Sequence, residues 1–393
     1  MKKFLMILLT ATVLVLGGFF ILNLFFDFTN DKNEEKQTAQ TAQTNRSEVK
    51  ESATASSEAH DTIKDTLEKM TVAEKVGQLF FVRVPEVNQV EDIKTYHLGG
   101  YVLFGRDMEN ETKESLTTKI KSYQSASKIP LLIGSDEEGG TVTRLSQNPN
   151  LVSSPFASPQ ALYSAGGFAA IKSDTISKAK ILREFGINAG LFPIADVATD
   201  PNAFIYDRTI GLDAAGTSEY VTTVVKALAT EKSGSTLKHF PGYGNNRDSH
   251  VEIVRDTRTL KELRQTDFLP FKAGIKAGAD SVLVSHNIID SIDQTKPASI
   301  SKTVHDVLRH ELGFKGVIMT DDMDMAGLAD FISQADAGLA ALQAGNDLIM
   351  SSSYQVQIPR ILAALKAGEY SEEELDTAVS RVLTWKQELG LLP

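Results

Sequence analysis

Eight short, nearly continuous apolar runs punctuate this chain from residue 78 onward, and they constrain its fold more than any other feature. They are Gln78 to Val84, Gly100 to Phe104, Pro130 to Ser135, Ala189 to Val197, Ser235 to His239, Ser281 to Ser285, Gly316 to Thr320 and Asp347 to Met350. Between most of them lie longer stretches with apolar residues at helical spacing, such as Ser218 to Thr230, Leu260 to Ala277 and Ser333 to Ala344. A run that is apolar on both faces suits a strand covered on both sides, and long helical connections make such strands parallel. Eight strand–helix units fit an α/β fold of the (β/α)8 TIM-barrel type in a single catalytic domain, with a doubly wound open sheet as the alternative. Polar residues recur at the ends of the runs: Asp136, Asp196, Lys238-His239, His286 and Asp321-Asp322. In a barrel they converge on one mouth, whereas an open sheet would spread them along a line. No Gly-rich phosphate fingerprint follows the first run, which weakens a dinucleotide reading.

The boundaries of the folded part follow from composition. Lys2 and Lys3 precede an uncharged apolar run from Phe4 to Phe26, long enough for a membrane-spanning helix, which needs about 20 residues. No small-residue cleavage site follows, so 1–26 reads as an uncleaved signal anchor, single-pass in the cell membrane, with the rest extracytoplasmic; secretion after cleavage is the alternative. Residues 27–60 are polar and poor in aromatics, and read as a flexible linker. The barrel is expected over 61–393, opening with a capping box at Thr71 and Glu74 and closing with a helix near Glu372 to Leu389. No second domain is expected, and the catalytic domain reads as monomeric. The net charge of −11 argues against a nucleic-acid partner, and the absence of cysteine excludes thiolate metal sites and a cysteine nucleophile.

The densest chemistry lies in Lys238-His239-Phe240-Pro241-Gly242-Tyr243-Gly244, followed by Asp248-Ser249-His250. Asp-x-His can set a carboxylate against an imidazole and fix its tautomer. Asp321 and Asp322 follow the seventh run; one Asp serves as a helix cap, but two in a row among methionines suggest a site with an apolar wall. Asp136-Glu137-Glu138-Gly139-Gly140 is a further acidic cluster, with Arg144 close behind. Arg208 is either a surface charge or a fork for hydroxyls and carboxylates. His286 is a core residue or a site wall; His60, His97, His305 and His310 read as surface or helix residues without a role. Two chemistries fit: glycoside hydrolysis through a nucleophilic carboxylate and a separate acid, or metal-assisted hydrolysis through His239, His250, His286 and Asp321. The second is disfavoured because Phe81-Val82-Arg83 lacks a His-x-His pair on the first strand. A non-catalytic module binding wall glycans would need the cleft but not the Asp-His pair.

The ordered motifs Met70 to Leu79, Asp136 to Arg144, Lys238 to Gly244, Asp248-Ser249-His250 and Thr320-Asp321-Asp322 resemble family 3 glycoside hydrolases. The resemblance is nearest to bacterial β-N-acetylglucosaminidases (β-N-acetylhexosaminidases) acting on peptidoglycan fragments, and runs from about residue 62 to the end. It implies Asp321 as the nucleophile, His250 as acid/base with Asp248 as its partner, and Asp136, Arg144, Arg208, Lys238 and His239 as residues holding a terminal N-acetylglucosamine. It implies no cofactor and no metal. Two departures stand out: the loop from Gly244 to Asp248 is one residue shorter than in many relatives, and Tyr243 stands where His is frequent.

Overall fold

The computed structural model describes residues 62–248 and 253–393. The segments 1–26 and 27–60, and His250, lie outside the described residues. The compact unit spans Ile63–Pro393. Its strands are β1 (Phe80–Arg83), β2 (Gly100–Leu103), β3 (Leu132–Ser135), β4 (Ala189–Gly190), β5 (Thr236–Phe240), β6 (Arg255–Asp256), β7 (Ser281–Val284), β8 (Ile288–Ile289), β9 (Val317–Thr320) and β10 (Ile349–Ser351). Eight of them sit on the eight apolar runs; β6 and β8 are a short extra pair in the loops.

Strands β10-β1-β2-β3-β4 form one sheet and β5-β7-β9 another, and every ladder in both is parallel. Isolated parallel bridges join Ala189 to Gly234, Ile194 to Lys238 and Met319 to Leu348. The parallel α/β character expected from the runs is therefore present. The strands are almost wholly buried, as their two-sided apolar pattern requires. Glycines in the sheet make room for one aromatic ring: a Cβ on Gly134 would stand 2.3 Å from Phe81 Cζ, and one on Gly100 2.7 Å from Phe81 Cδ2.

The helices begin where the sequence signals them. Thr71 caps Val72–Gln78 in a full capping box with Glu74. The helices Ala214–Thr230, Gln334–Ala344 and Glu372–Glu388 lie close to the stretches read as helical. The stretch Leu260 to Ala277 is a correction: it is two helices, Leu260–Gln265 and Phe268–Ala277. The break falls at Thr266–Asp267, where the Asp267 carboxylate is drawn to Arg258 at 2.8 Å. His305 is a helix residue, one of the two readings expected for it, and it is buried. Its helix, Lys302–Asp306, packs against Gln334–Ala344, and its Nδ1 lies 2.8 Å from the Ser301 carbonyl. Among the described residues no helix is long and apolar enough to cross a membrane.

Candidate active site

A cleft of about 320 Å³ opens where the C-terminal ends of the strands meet. It is lined by Arg83 from β1, Phe104 after β2, Asp136 and Arg144 after β3, Arg208, Lys238 and His239 from β5, Asp321 and Asp322 after β9, and Met325 and Met350. A cavity of about 500 Å³ lies elsewhere, beside Pro130, Ile187 and Asn188, at the starts of β3 and β4. Active sites of parallel α/β sheets lie at the opposite, C-terminal strand ends, so the smaller cleft is the candidate.

Lys238 and His239 are consecutive, and a regular strand would turn them to opposite faces. Both line the cleft: the strand is not regular here, with an irregular β5–β7 register between Leu237 and Phe240 and a cis peptide joining the two residues. Lys238 Nζ donates to Asp136 Oδ1 at 2.7 Å and stands 2.7 Å from Glu138 Oε1. Arg208 forks onto Glu138 at 2.9 and 2.8 Å, and Arg144 reaches Asp136 at 3.3 Å. Burial opposes the charge on both carboxylates, yet the cations prevail. Lys238 and Arg144 hold Asp136 well below the usual range, and Lys238 and Arg208 hold Glu138 at about 2. Burial likewise opposes the Lys238 ammonium, and the two carboxylates override it and raise its pKa. Arg144 Nε is buried and makes no hydrogen bond among the described residues.

His239 is fixed from both sides. Its Nδ1 is 2.8 Å from Asp196 Oδ2 and its Nε2 is 3.2 Å from Arg208 Nη2. A guanidinium can only donate, so Nε2 accepts and Nδ1–H donates to Asp196. Burial first, then Arg208, pushes the imidazole well below its usual range. Burial raises Asp196 to about 6, although Tyr243 N–H and His239 N–H both donate to it.

The sequence between Phe240 and Gly244 builds a second anchor. Gly242 (φ 115°) and Gly244 (φ 54°) occupy left-handed backbone. A Cβ on Gly242 would lie 2.4 Å from Asp267 Oδ1, and one on Gly244 2.3 Å from Arg258 Nη1. Arg258 donates to the Gly242 carbonyl at 2.7 Å, to Asp256 at 2.6 Å and to Asp267 at 2.8 Å. It thus ties the Pro-Gly turn before Asp248 to β6 after it.

Asp321 is buried at the end of β9, its N–H donating to the Val284 carbonyl at 2.9 Å. A helix cap does not explain it, because the next helix is Ala326–Ala329 with Met325 as its cap. The apolar wall expected from the methionines is Met325 and Met350. Burial raises Asp322, against the pull of Arg83.

The structure thus gathers Asp136, Arg144, Arg208, Lys238, His239 and Asp321. Asp248 is half-buried and is not among the described residues lining the cleft. His286 is buried and supports the β9 loop: its Nε2 lies 2.9 Å from the Asp322 carbonyl. Sequence reasoning placed Asp196 and Asp322 among the polar strand ends without giving either a task, and it did not single out Glu138, Arg83 or Phe104. A signal existed for Asp196, a lone carboxylate inside an apolar run, and none for Arg83. Among the described residues no group of three or more His, Asp or Glu is arranged to hold a metal ion.

The Glycosyl hydrolase family 3 N terminal domain matches residues 71–385. This chain belongs to glycoside hydrolase family 3. The family 3 resemblance carried by the sequence motifs is therefore correct. A β-hexosaminidase of Xanthomonas campestris pv. campestris is 32% identical over 301 residues, covering 75% of this chain and 85% of that protein. Beta-hexosaminidase A of Pseudoalteromonas piscicida is 29% identical over 333 residues; the match covers 78% of this chain and only 55% of that longer protein. Among solved structures, a family 3 β-N-acetylglucosaminidase from Paenibacillus sp. str. FPU-7 superposes with a TM-score of 0.77 at 29% identity, covering 82% of this chain and 63% of that one.

Proposed function

We propose that this family 3 chain is a retaining exo-β-N-acetylglucosaminidase, of the β-N-acetylhexosaminidase type, that removes terminal β-linked N-acetylglucosamine from peptidoglycan fragments or related glycans. The observation that carries this reading is the cleft itself. Asp321 stands in one enclosure with Asp136, Arg144, Arg208, Lys238 and His239, a ring of charged donors and acceptors suited to sugar hydroxyls. The names of the relatives point to the same sugar.

In this mechanism the Asp321 carboxylate attacks the anomeric carbon while the glycosidic C–O bond breaks. His250, paired with Asp248, gives a proton to the leaving oxygen. Water then attacks the glycosyl-enzyme, His250 takes its proton, and Asp321 is released. Two inversions restore the β-configuration. Asp136, Arg144, Arg208, Lys238 and His239 hold the sugar, and no metal or cofactor takes part.

The finer architecture belongs to the same proposal: a closed (β/α)8 barrel over 61–393, held by a membrane anchor (1–26) and a linker (27–60) outside the cytoplasmic membrane and acting as a monomer. The parallel bridges that join the two sheets at β4–β5 and β9–β10 support closure. Early NMR of the product anomer tests the mechanism: β-anomer first is expected, and α-anomer first removes Asp321 from the nucleophile role. Aryl β-N-acetylglucosaminides compared with aryl β-glucosides test the sugar, and a preference for glucosides would overturn that assignment.

A further inference from the structure

Two carboxyl groups follow β9 directly, and the chemistry needs only one of them. The Asp322 N–H donates to Asp321 Oδ1 at 2.8 Å, so the position of Asp322 sets the orientation of its neighbour. Asp322 is held at three points. Arg83 Nε donates to its Oδ2 at 2.6 Å, its Oδ1 accepts the Asp324 N–H at 3.0 Å, and its carbonyl faces His286 Nε2 at 2.9 Å. Arg83 is itself laid over Phe104, with its guanidinium carbon 4.3 Å from the ring centroid.

The other described charged groups around this pair are committed elsewhere. Lys238 serves Asp136 and Glu138, Arg208 serves Glu138, and Arg144 serves Asp136. His239 lies between Asp196 and Arg208, His286 between Ser299 and the Asp322 carbonyl, and Asp324 accepts from Ser351 and the Ser352 N–H. The cation ion-paired with Asp322 is Arg83, which also feels the carboxylate of Asp107, a group held by Arg106 and the Phe104 N–H.

We propose that Arg83 is a positioning residue for the nucleophile. By neutralising Asp322 and tying it to β1, Arg83 lets Asp321 remain ionised beside a second carboxylate and keeps the Asp322 N–H aimed at it. A like charge next door raises a carboxyl pKa, and a paired cation cancels that effect. This inference rests on the reading of Asp321 as the nucleophile.

The test is the pH profile of kcat/KM for the full chain on an aryl β-N-acetylglucosaminide, whose acid limb reports the free enzyme's essential base. Arg83→Gln should move that limb up by about one pH unit, with activity recovering toward wild type at higher pH. Arg83→Lys keeps the charge and should leave the limb near its wild-type position. Asp322→Asn should move it down, and the double variant Arg83→Gln/Asp322→Asn should bring it back. The Arg83 side chain is 41% exposed, so its replacement does not open the core. Loss by one factor at every pH, or a double variant that stays displaced, overturns the proposal. Asp321→Asn separates the two levels. Turnover surviving in that variant defeats the nucleophile reading itself, whereas a dead Asp321→Asn with an unmoved limb in Arg83→Gln defeats only the role of Arg83.

Discussion

Asp196 Oδ2 accepts two hydrogen bonds from His239, one from the ring Nδ1 at 2.8 Å and one from the backbone N–H at 3.1 Å. The other oxygen, Oδ1, accepts the Tyr243 N–H at 2.7 Å. A buried carboxylate facing only donors fixes one imidazole tautomer and turns Nε2 toward the cleft as an acceptor. Tyr243 contributes to this carboxylate through its backbone N–H, while its ring is buried against His239 and Phe204.

Asp196→Asn should therefore be costly although it is isosteric. Whichever way the amide turns, an NH2 faces a donor, and one buried group loses its partner at about 1–3 kcal/mol. The expected outcome is a roughly 10- to 100-fold loss in kcat/KM with a lowered Tm. Near wild-type kinetics would mean that the His239 tautomer is set by Arg208 alone.

Arg208→Lys should behave as a loss rather than a conservative change. The guanidinium forks onto Glu138 and still reaches His239 Nε2 at 3.2 Å, which an ammonium cannot reproduce. A rise in KM of about tenfold or more is expected, from steady-state kinetics on an aryl N-acetylglucosaminide.

Gly244→Ala places a methyl 2.3 Å from Arg258 Nη1 at a backbone φ of 54°. Strain and displacement of the half-buried guanidinium should cost about 2 kcal/mol or more, read as a fall in denaturation midpoint. An unchanged midpoint would show that Arg258 yields freely and does not tie the two stems together.

His250→Ala should lose far more activity on natural glycans than on aryl glycosides with acidic phenols, which depart without a proton. Deglycosylation should then become slow, and azide should restore it. Equal damage to every leaving group, with no azide effect, would make Asp248 and His250 structural.

Lys386 is fully buried, its Nζ donating to Gln78 Oε1 at 2.7 Å, and burial lowers its pKa from an ordinary 10.5 to about 7. The unfolded chain keeps this proton up to its higher pKa, so between these values unfolding takes up a proton and rising pH favours the fold. Below about 7 the penalty is complete and constant. Lys386→Met should therefore gain on the wild type, in thermal midpoint, as pH is lowered from the alkaline side to neutrality. Parallel midpoint curves for the two proteins would show that Lys386 is not held neutral.

Eight parallel strands were legible in the sequence because each run is apolar on both faces, and local burial demand is written residue by residue. The capping box at Thr71 and the clustering of polar residues at the strand ends were legible for the same reason: they depend on near neighbours. Other features depend on groups distant in the chain. Lys238 and His239 both enter the cleft at a point where β5 departs from regular strand geometry, with an irregular register against β7 and a cis peptide between the two residues. Glu138 reads only as part of an acidic cluster until Arg208 and Lys238, remote in sequence, are folded onto it. Arg83 carries no local mark at all. Its partner Asp322 lies 239 residues further along the chain, after β9, and β10 stands between β1 and β9 in the strand order. The sequence by itself determined which residue types the site holds and where the strands run. Which charge meets which was decided only by the tertiary structure, since a salt bridge in a buried cleft is set by the packing of strands and not by spacing along the chain.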